Sequence, residues 1–412
     1  MELGARLGSA ASAVLCLAAC AALAISGPGA AASGTGVAPD LISASAYLAA
    51  PANLIAGKYY ESFPGTADFG LTIDGALALA ATGADNAALR TIVTFIDEDG
   101  KDPSGNTVND WTGIGTADAS GGSIGKEALL AEVVGDNPRD FGGHNLVAAL
   151  DASVCTRPSA GPATSCPAPG SFLNATSVFD QALGIMAQFR AGQASEAAAP
   201  VAYLETLQRA DGSFPSLIPP SGGPDIDSTA MAVMALALAP GTRAAAGVVA
   251  GIGWIAGQQE RNGGFPSAGA ESVNSTGLAI QALTLRRASY RARISNALAF
   301  LASQQNSNGG FNANAGQPGS DLRASAQAAG GAAGPSFGTL HIDLGRRSSP
   351  IKAATQPRGG HGRGLPGALL ALVIAVAVVA VIALTLLLLR RRRAARAAAG
   401  SAQAAPPRKV SS

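Results

Sequence analysis

Two carboxylates two residues apart mark the chain's most suggestive stretch, Asp225-Ile226-Asp227-Ser228-Thr229-Ala230. A carboxylic acid can serve as a general acid if a dry, shaped cavity keeps it protonated. The same residue types do simpler work at a helix start, where Asp, Asn and Ser side chains accept from free backbone N–H groups. Sister stretches carry Asn174 and Asn274 in the corresponding place. Asp225 and Asp227 therefore read first as caps and second, as an alternative, as catalytic acids. Asp74, Glu127, Glu271 and Asp321 lie near other predicted helix starts. Asp74, Asp225, Asp227, Glu271 and Asn274 form the candidate ligand-binding set, a polar rim around an Ala/Leu/Met-walled funnel of the kind that holds small molecules. No catalytic residue is assigned outright. The exported part's histidines, His144, His341 and His361, are scattered and build no zinc-type cluster. No metal and no cofactor are expected.

The two ends of the 412-residue chain point to a membrane. Arg6, an apolar run to Ile25 and Ala30-Ala31-Ala32 read as a secretory signal peptide over 1–32. Leu17-Ala18-Ala19-Cys20 also resembles a lipid-attachment box, although apolar residues follow the cysteine. Residues 365–389 carry no charge and are long enough to span a bilayer. The arginines at 390–393 predict that the tail 390–412 is cytoplasmic. Residues 33–335 are then an exported domain and 336–364 a flexible linker.

Seven of the 28 basic residues lie beyond 389, and the leader holds Arg6 and Glu2. Residues 33–364 are left with 20 basic and 26 acidic side chains. A mildly acidic domain argues against a nucleic-acid partner. The expected partners are the membrane, through the single-pass anchor, and a small-molecule or cell-surface ligand. Cys155 and Cys166 flank a loop rich in Pro, Ser and Ala, and in an oxidising compartment they are expected to pair as a disulfide.

What must position these residues is a repeat. YLETLQRADGSFP (203–215) and DIDSTAMAVMALAL (225–238) recur as GWIAGQQERNGGFP (253–266) and SVNSTGLAIQALTL (272–285). Each unit is an amphipathic helix, an Asp/Asn-Gly turn with an aromatic, and a second, more apolar helix. Thr72, Thr176, Thr229 and Thr276, with Ser123 and Ser325 in the same slot, predict second helices about 50 residues apart. A leucine stands seven residues beyond most of them. Gln208, Gln259 and Gln305 each precede an aromatic (Phe214, Phe265, Phe311) by six residues, which predicts a structural tie from loop to loop. A helix pair of this kind buries its apolar face only against neighbours of its own kind. Six pairs predict an all-α fold, an α6/α6 toroid with parallel inner helices, plus the signal peptide and the one transmembrane helix.

LQRADGSF, QQERNGGF and QQNSNGGF resemble the repeat of the prenyltransferase and squalene oxidase class, with Phe where that motif has Trp. The resemblance implies a toroid whose funnel holds the ligand. The class includes terpene cyclases, protein prenyltransferase β subunits, thioester domains and the α domain of cobalamin carriers. Fold alone therefore leaves function open. Zinc ligands and a thioester motif are both missing from this sequence, and no C-terminal β domain of the cobalamin-carrier type is evident. Asp225–Ala230 resembles the acid motif of class II cyclases, in which Asp227 matches the proton donor and Ser228 replaces the following Asp. The expectation is a membrane-anchored, non-catalytic binding module for a small molecule or surface ligand. The alternative is a class II-like terpene cyclase using an Asp general acid.

Overall fold

The computed structural model describes residues 37–160, 165–267 and 269–344. The expected signal peptide, span and tail lie outside those residues. Among the described residues no helix is long and apolar enough to cross a membrane.

Thirteen helices are described, twelve of them in six outer–inner pairs. The first three pairs are α1 (Leu41–Ala49) with α2 (Phe69–Thr82); α3 (Asn86–Asp97), followed by the short α4 (Val108–Thr112), with α5 (Gly121–Val133); and α6 (Leu146–Ala152) with α7 (Val178–Arg190). The rest are α8 (Ala198–Leu207) with α9 (Ile226–Leu236), α10 (Thr242–Gly257) with α11 (Val273–Thr284), and α12 (Arg287–Gln304) with α13 (Leu322–Ala333). Each inner helix packs on the next, and α13 packs on α2, so the ring is closed. Gly122 abuts Asp180 and Gly125 abuts Gly184, so α5 and α7 run in the same direction.

The inner helices are buried all round. Every residue from Leu71 to Ala80, from Ser228 to Leu236 and from Ser275 to Leu283 is buried. Outer helix α3 instead hides one stripe, Leu89, Ile92, Val93 and Ile96, spaced as a helix with one solvated side requires. Sequence composition follows this division in part: Ala, Leu and Gly dominate the inner helices, and repeated charge appears on outer helix α12.

One junction recurs. Before α9, α11 and α13, a buried Phe (Phe214, Phe265, Phe311) pairs across an antiparallel register with the helix's N-cap residue (Asp225, Ser272, Asp321). The Phe N–H donates to Thr229 (2.9 Å), Thr276 (3.0 Å) and Ser325 (2.8 Å) respectively. Each of those hydroxyls in turn donates to the carbonyl of the N-cap residue. Tyr60 and Thr72 make the same contact at α2 (3.0 Å). The glutamines tie loops as expected. Gln208 donates to Gly212 and Gly247, Gln259 to Gly263 and Arg293, and Gln305 to Gly309 and to Asp40 at the start of α1. The Gln305–Asp40 bond also helps to seal the ring. Gly263 stands at φ +92° against the carbonyl of Asn296, where a side chain would suffer both strain and collision. Two further short antiparallel ribbons complete the strands, β1 (Glu61–Phe63) with β2 (Thr66–Ala67) and β3 (Ser159–Ala160) with β4 (Ser165–Cys166).

Three expectations need correction. Thr176 does not open α7, which starts at Val178 under the cap of Ser177; the threonine's slot is held by Gln181, whose amide oxygen accepts from Phe172 N–H (3.0 Å). In α5 the slot, four residues after the cap Ser120, falls on Ile124 rather than Ser123. The stretch 336–344, expected as the start of a linker, is packed. Phe337, Leu340 and Leu344 are buried, and Ile342 N–H donates to the Val133 carbonyl (2.7 Å). Gln281 donates to Pro335 O and Arg190 to Gly338 O. This strap therefore touches α11, α7 and α5 at their C-terminal ends and crosses that mouth of the ring. Backbone carbonyls at helix ends have no intrahelical donors, and strap N–H groups satisfy two in this region.

Candidate functional site

All six inner helices begin under a side-chain cap: Asp68, Ser120, Ser177, Asp225, Ser272 and Asp321. Six helix starts thus share one mouth, with their positive dipole ends together. Two residues beyond each cap come Gly70, Gly122, Phe179, Asp227, Asn274 and Arg323. All but Gly122 keep some exposure, so they form the rim. Four residues deeper on the same helix faces lie Asp74, Lys126, Leu183, Met231, Leu278 and Gln327.

One side of the mouth is an ion network. Asp74, buried, meets Lys126 Nζ at 2.7 Å and Arg323 at 3.6 Å, while Arg323 also meets Asp68 at 2.8 Å. Three helices, α2, α5 and α13, are joined by it. Burial works to raise the Asp68 carboxyl, but the Ser62 hydroxyl, the Leu71 N–H and the charges of Arg323 and Lys126 hold it below its ordinary value.

The other side is different. Asp225 is engaged as a cap, accepting from Ser228 N–H at 2.7 Å. Asp227 sits within the first turn of α9, not at its cap. Burial, joined by the charge of Asp225, pushes its carboxyl up to about 6, with the Ser275 hydroxyl opposing the rise. Asp227 Oδ1, Ser275 Oγ and Gln327 Oε1 are buried, and apart from the approach of the Ser275 hydroxyl to the Asp227 carboxyl they have no hydrogen-bond partner among the described residues. They come from three neighbouring helices, α9, α11 and α13. Phe179 and Trp111 are the half-buried aromatics nearby, Trp111 lying 6.5 Å from Phe69 and close to Gly70.

Of the candidate set, the ring brings Asp74, Asp225, Asp227 and Asn274 to one mouth. Glu271 lies just before the cap of α11, on a ribbon opposite Pro266. Two expected caps are displaced. Asn174 lies upstream of α7 at φ +55°, donating to Ala119 O, and Asn274 is the second residue of α11. Glu127 is not at the mouth but buried near the turn at Gly142. Cys155 and Cys166 form a disulfide with an S–S distance of 2.01 Å. Among the described residues no group of three His, Cys, Asp or Glu is placed to hold a metal. The reading of residue types missed Lys126, Arg323, Ser275 and Gln327. Arg323 was recoverable by counting, since it follows Asp321 as Asp227 follows Asp225.

At the opposite mouth, beneath the strap, a 420 Å³ cavity is lined by residues including Glu132, Arg139, Arg190 and His341. Burial pushes the Glu132 carboxyl up to about 8 against the pull of Arg190, 3.5 Å away.

Residues 171–315 and, overlapping them, 248–333 match the family model described as prenyltransferase alpha-alpha toroid domain. The two matches together span residues 171–333, and there the chain is similar to that domain. Among solved structures, the chain is similar to a variant of the type II terpene cyclase MstE from Scytonema in complex with geranylgeranyl dihydroxybenzoate. That match has 14% identity over 71% of this chain and 95% of the other, with a TM-score of 0.51. The apo form of the same cyclase matches at 14% identity over 71% and 96% of the two chains, with a TM-score of 0.50. A glycosidase variant matches at 14% identity over 71% and 95%, with a TM-score of 0.49. No curated protein matches the chain. At these identities the likeness concerns the toroid fold and not its chemistry.

Proposed function

We propose that this chain is an exported toroid tethered by the segment 365–389, and that its N-terminal mouth is a non-catalytic site for a small molecule or cell-surface ligand. The supporting observation is the division of polar groups at the mouth. Asp68, Asp74 and Asp225 are engaged in caps and ion pairs, whereas Asp227, Ser275 and Gln327 keep unused hydrogen-bonding capacity on one side. Buried polar atoms without partners favour a ligand that supplies them. The tier below, Leu183, Met231 and Leu278, is apolar and buried. A ligand with a hydrogen-bond donor at one end and an apolar remainder fits this side.

Thermal shift of the full chain against a panel of apolar and cofactor-like small molecules tests the proposal. Binders are expected to raise Tm, with the rise reduced in Asp227→Asn and Ser275→Ala. A panel in which nothing shifts Tm would count against it.

A second reading, a class II-like cyclase, is favoured by one observation: one carboxylate oxygen of Asp227 is buried, and the carboxyl holds its proton up to about pH 6. Against it, a carbocation needs aromatic faces for stabilisation, and among the described residues Phe179 and Trp111 are the half-buried aromatics near this rim. Its test is product formation from squalene-like or diphosphate-bearing isoprenoids, abolished in Asp227→Asn.

A further inference from the structure

Away from the mouth, Glu127 on α5 is completely buried, and neither of its carboxylate oxygens has a hydrogen-bond partner among the described residues. No ion pair among the described residues reaches it. The side-chain oxygen of Asn109 on α4 is a second buried atom without a partner. Its orientation is fixed, because Asn109 Nδ2 donates to the Gly142 carbonyl at 3.2 Å and the Asn109 N–H donates to Asp99 Oδ1 at 2.8 Å. Gly142, at φ +65°, brings the two orphaned groups together. A Cβ there would stand 2.5 Å from Glu127 Oε1 and 3.9 Å from Asn109 Oδ1. Gly142 N–H donates to Asp97 Oδ1 at 3.1 Å. The Glu127 carboxylate and the Asn109 amide oxygen therefore both lie beside Gly142, with Asp97 and Asp99 bonded to the backbone N–H groups of Gly142 and Asn109. Burying such a carboxylate uncompensated is costly.

We infer that this cluster is a binding site for one divalent cation of the calcium type, ligated by the Glu127 carboxylate and the Asn109 amide oxygen, with Asp97 and Asp99 supplying charge around it. The donors are all oxygen, which selects hard cations over zinc or copper. A carboxylate mixed with a neutral amide oxygen suits the adaptable coordination of Ca²⁺ better than the strict octahedron of Mg²⁺. Fewer than three acidic side chains converge at ligating distance. The remaining positions therefore fall to backbone carbonyls of the turn 140–144 and to water. Without the cation, burial first and then the charges of Asp99 and Asp97 push the Glu127 carboxyl up to about 8, so binding at neutral pH displaces a proton.

The test uses the full chain, stripped with EDTA and titrated with Ca²⁺ by calorimetry and thermal shift. One site is expected, with a Tm rise of about 4 °C at saturating cation. About one proton should be released per ion at pH 7, read from buffers of different ionisation enthalpy. Glu127→Gln should abolish the shift, and Asn109→Ala should weaken binding at least about tenfold, in line with the loss of one oxygen ligand. If Glu127→Gln fails to fold, the wild-type proton release and Asn109→Ala still decide. Absence of heat and of a Tm change in the wild-type chain at millimolar Ca²⁺ would overturn the inference. So would binding left unchanged by both substitutions, or tighter binding of Mg²⁺ than of Ca²⁺.

Discussion

Four junctions of the ring, those entering α2, α9, α11 and α13, are stitched by the same hydroxyl-to-backbone bond, while those entering α5 and α7 are not. At α7 one residue replaces two. Gln181 accepts from Phe172 N–H as a threonine does elsewhere, and donates to Gly170 O and Pro200 O as a loop-tying glutamine does elsewhere. At α5 the slot is Ile124 and neither bond is made. The regular part of the ring repeats one stitch, and its unpaired buried atoms, on Asp227, Ser275 and Gln327, lie beside the stitch and not in it. The irregular part, from α3 to α7, holds Glu127 and Asn109, whose side-chain oxygens have no partner among the described residues. Repetition here builds the scaffold, and the unused chemistry lies at positions outside the repeated stitch.

The contrast can be broken in measurable ways. Phe265 is completely buried, so Phe265→Ala should cost about 3–5 kcal/mol in denaturant unfolding, whereas Phe179→Ala at the rim should cost under about 1 kcal/mol. Gln181→Leu removes three bonds at the irregular junction and should cost about 3 kcal/mol. Thr276→Val removes two, from the Phe265 N–H and to the Ser272 carbonyl, and should cost about 1–2 kcal/mol. Equal losses at the two junctions would remove the distinction between them. Asp227→Asn is expected to stabilise the protein by about 1–2 kcal/mol at pH 7.5. Its folded carboxyl lies at about 6, above the ordinary aspartate value of 3.8. The native state therefore holds the proton longer, and the wild-type chain loses stability as pH rises between those values. The gain in the variant should fade as pH falls through that window and be absent below it. Chemical denaturation at pH 3.5, 5 and 7.5 gives the sign directly.

Legibility in the sequence follows the same division. The spacing of Gln208, Gln259 and Gln305 to their aromatics, and the positions Thr72, Thr229, Thr276 and Ser325, identify repeated elements because one residue type does one job each time. Thr176 misled because a glutamine has taken the threonine's place five residues later. The strap at 335–344 was hidden by composition. Phe337, Leu340, Ile342 and Leu344, set among Gly, Ser, Thr, His and Asp, carry no helical periodicity, and the strap's bonds to Val133 and Val134 are between backbones. The ion network of Asp74, Lys126 and Arg323 joins residues about 250 positions apart, which closure of the ring alone makes neighbours. The oxygen cluster at Glu127 escaped because His and Cys were the metal signals sought.

Assaying the full chain with squalene-like and diphosphate-bearing isoprenoids, with product read by mass spectrometry and binding by thermal shift in the same samples, tests the central claim most directly. A binding module predicts a Tm shift that Asp227→Asn weakens, with the isoprenoid recovered unchanged. Cyclised product from the wild-type chain, lost in Asp227→Asn, would contradict it.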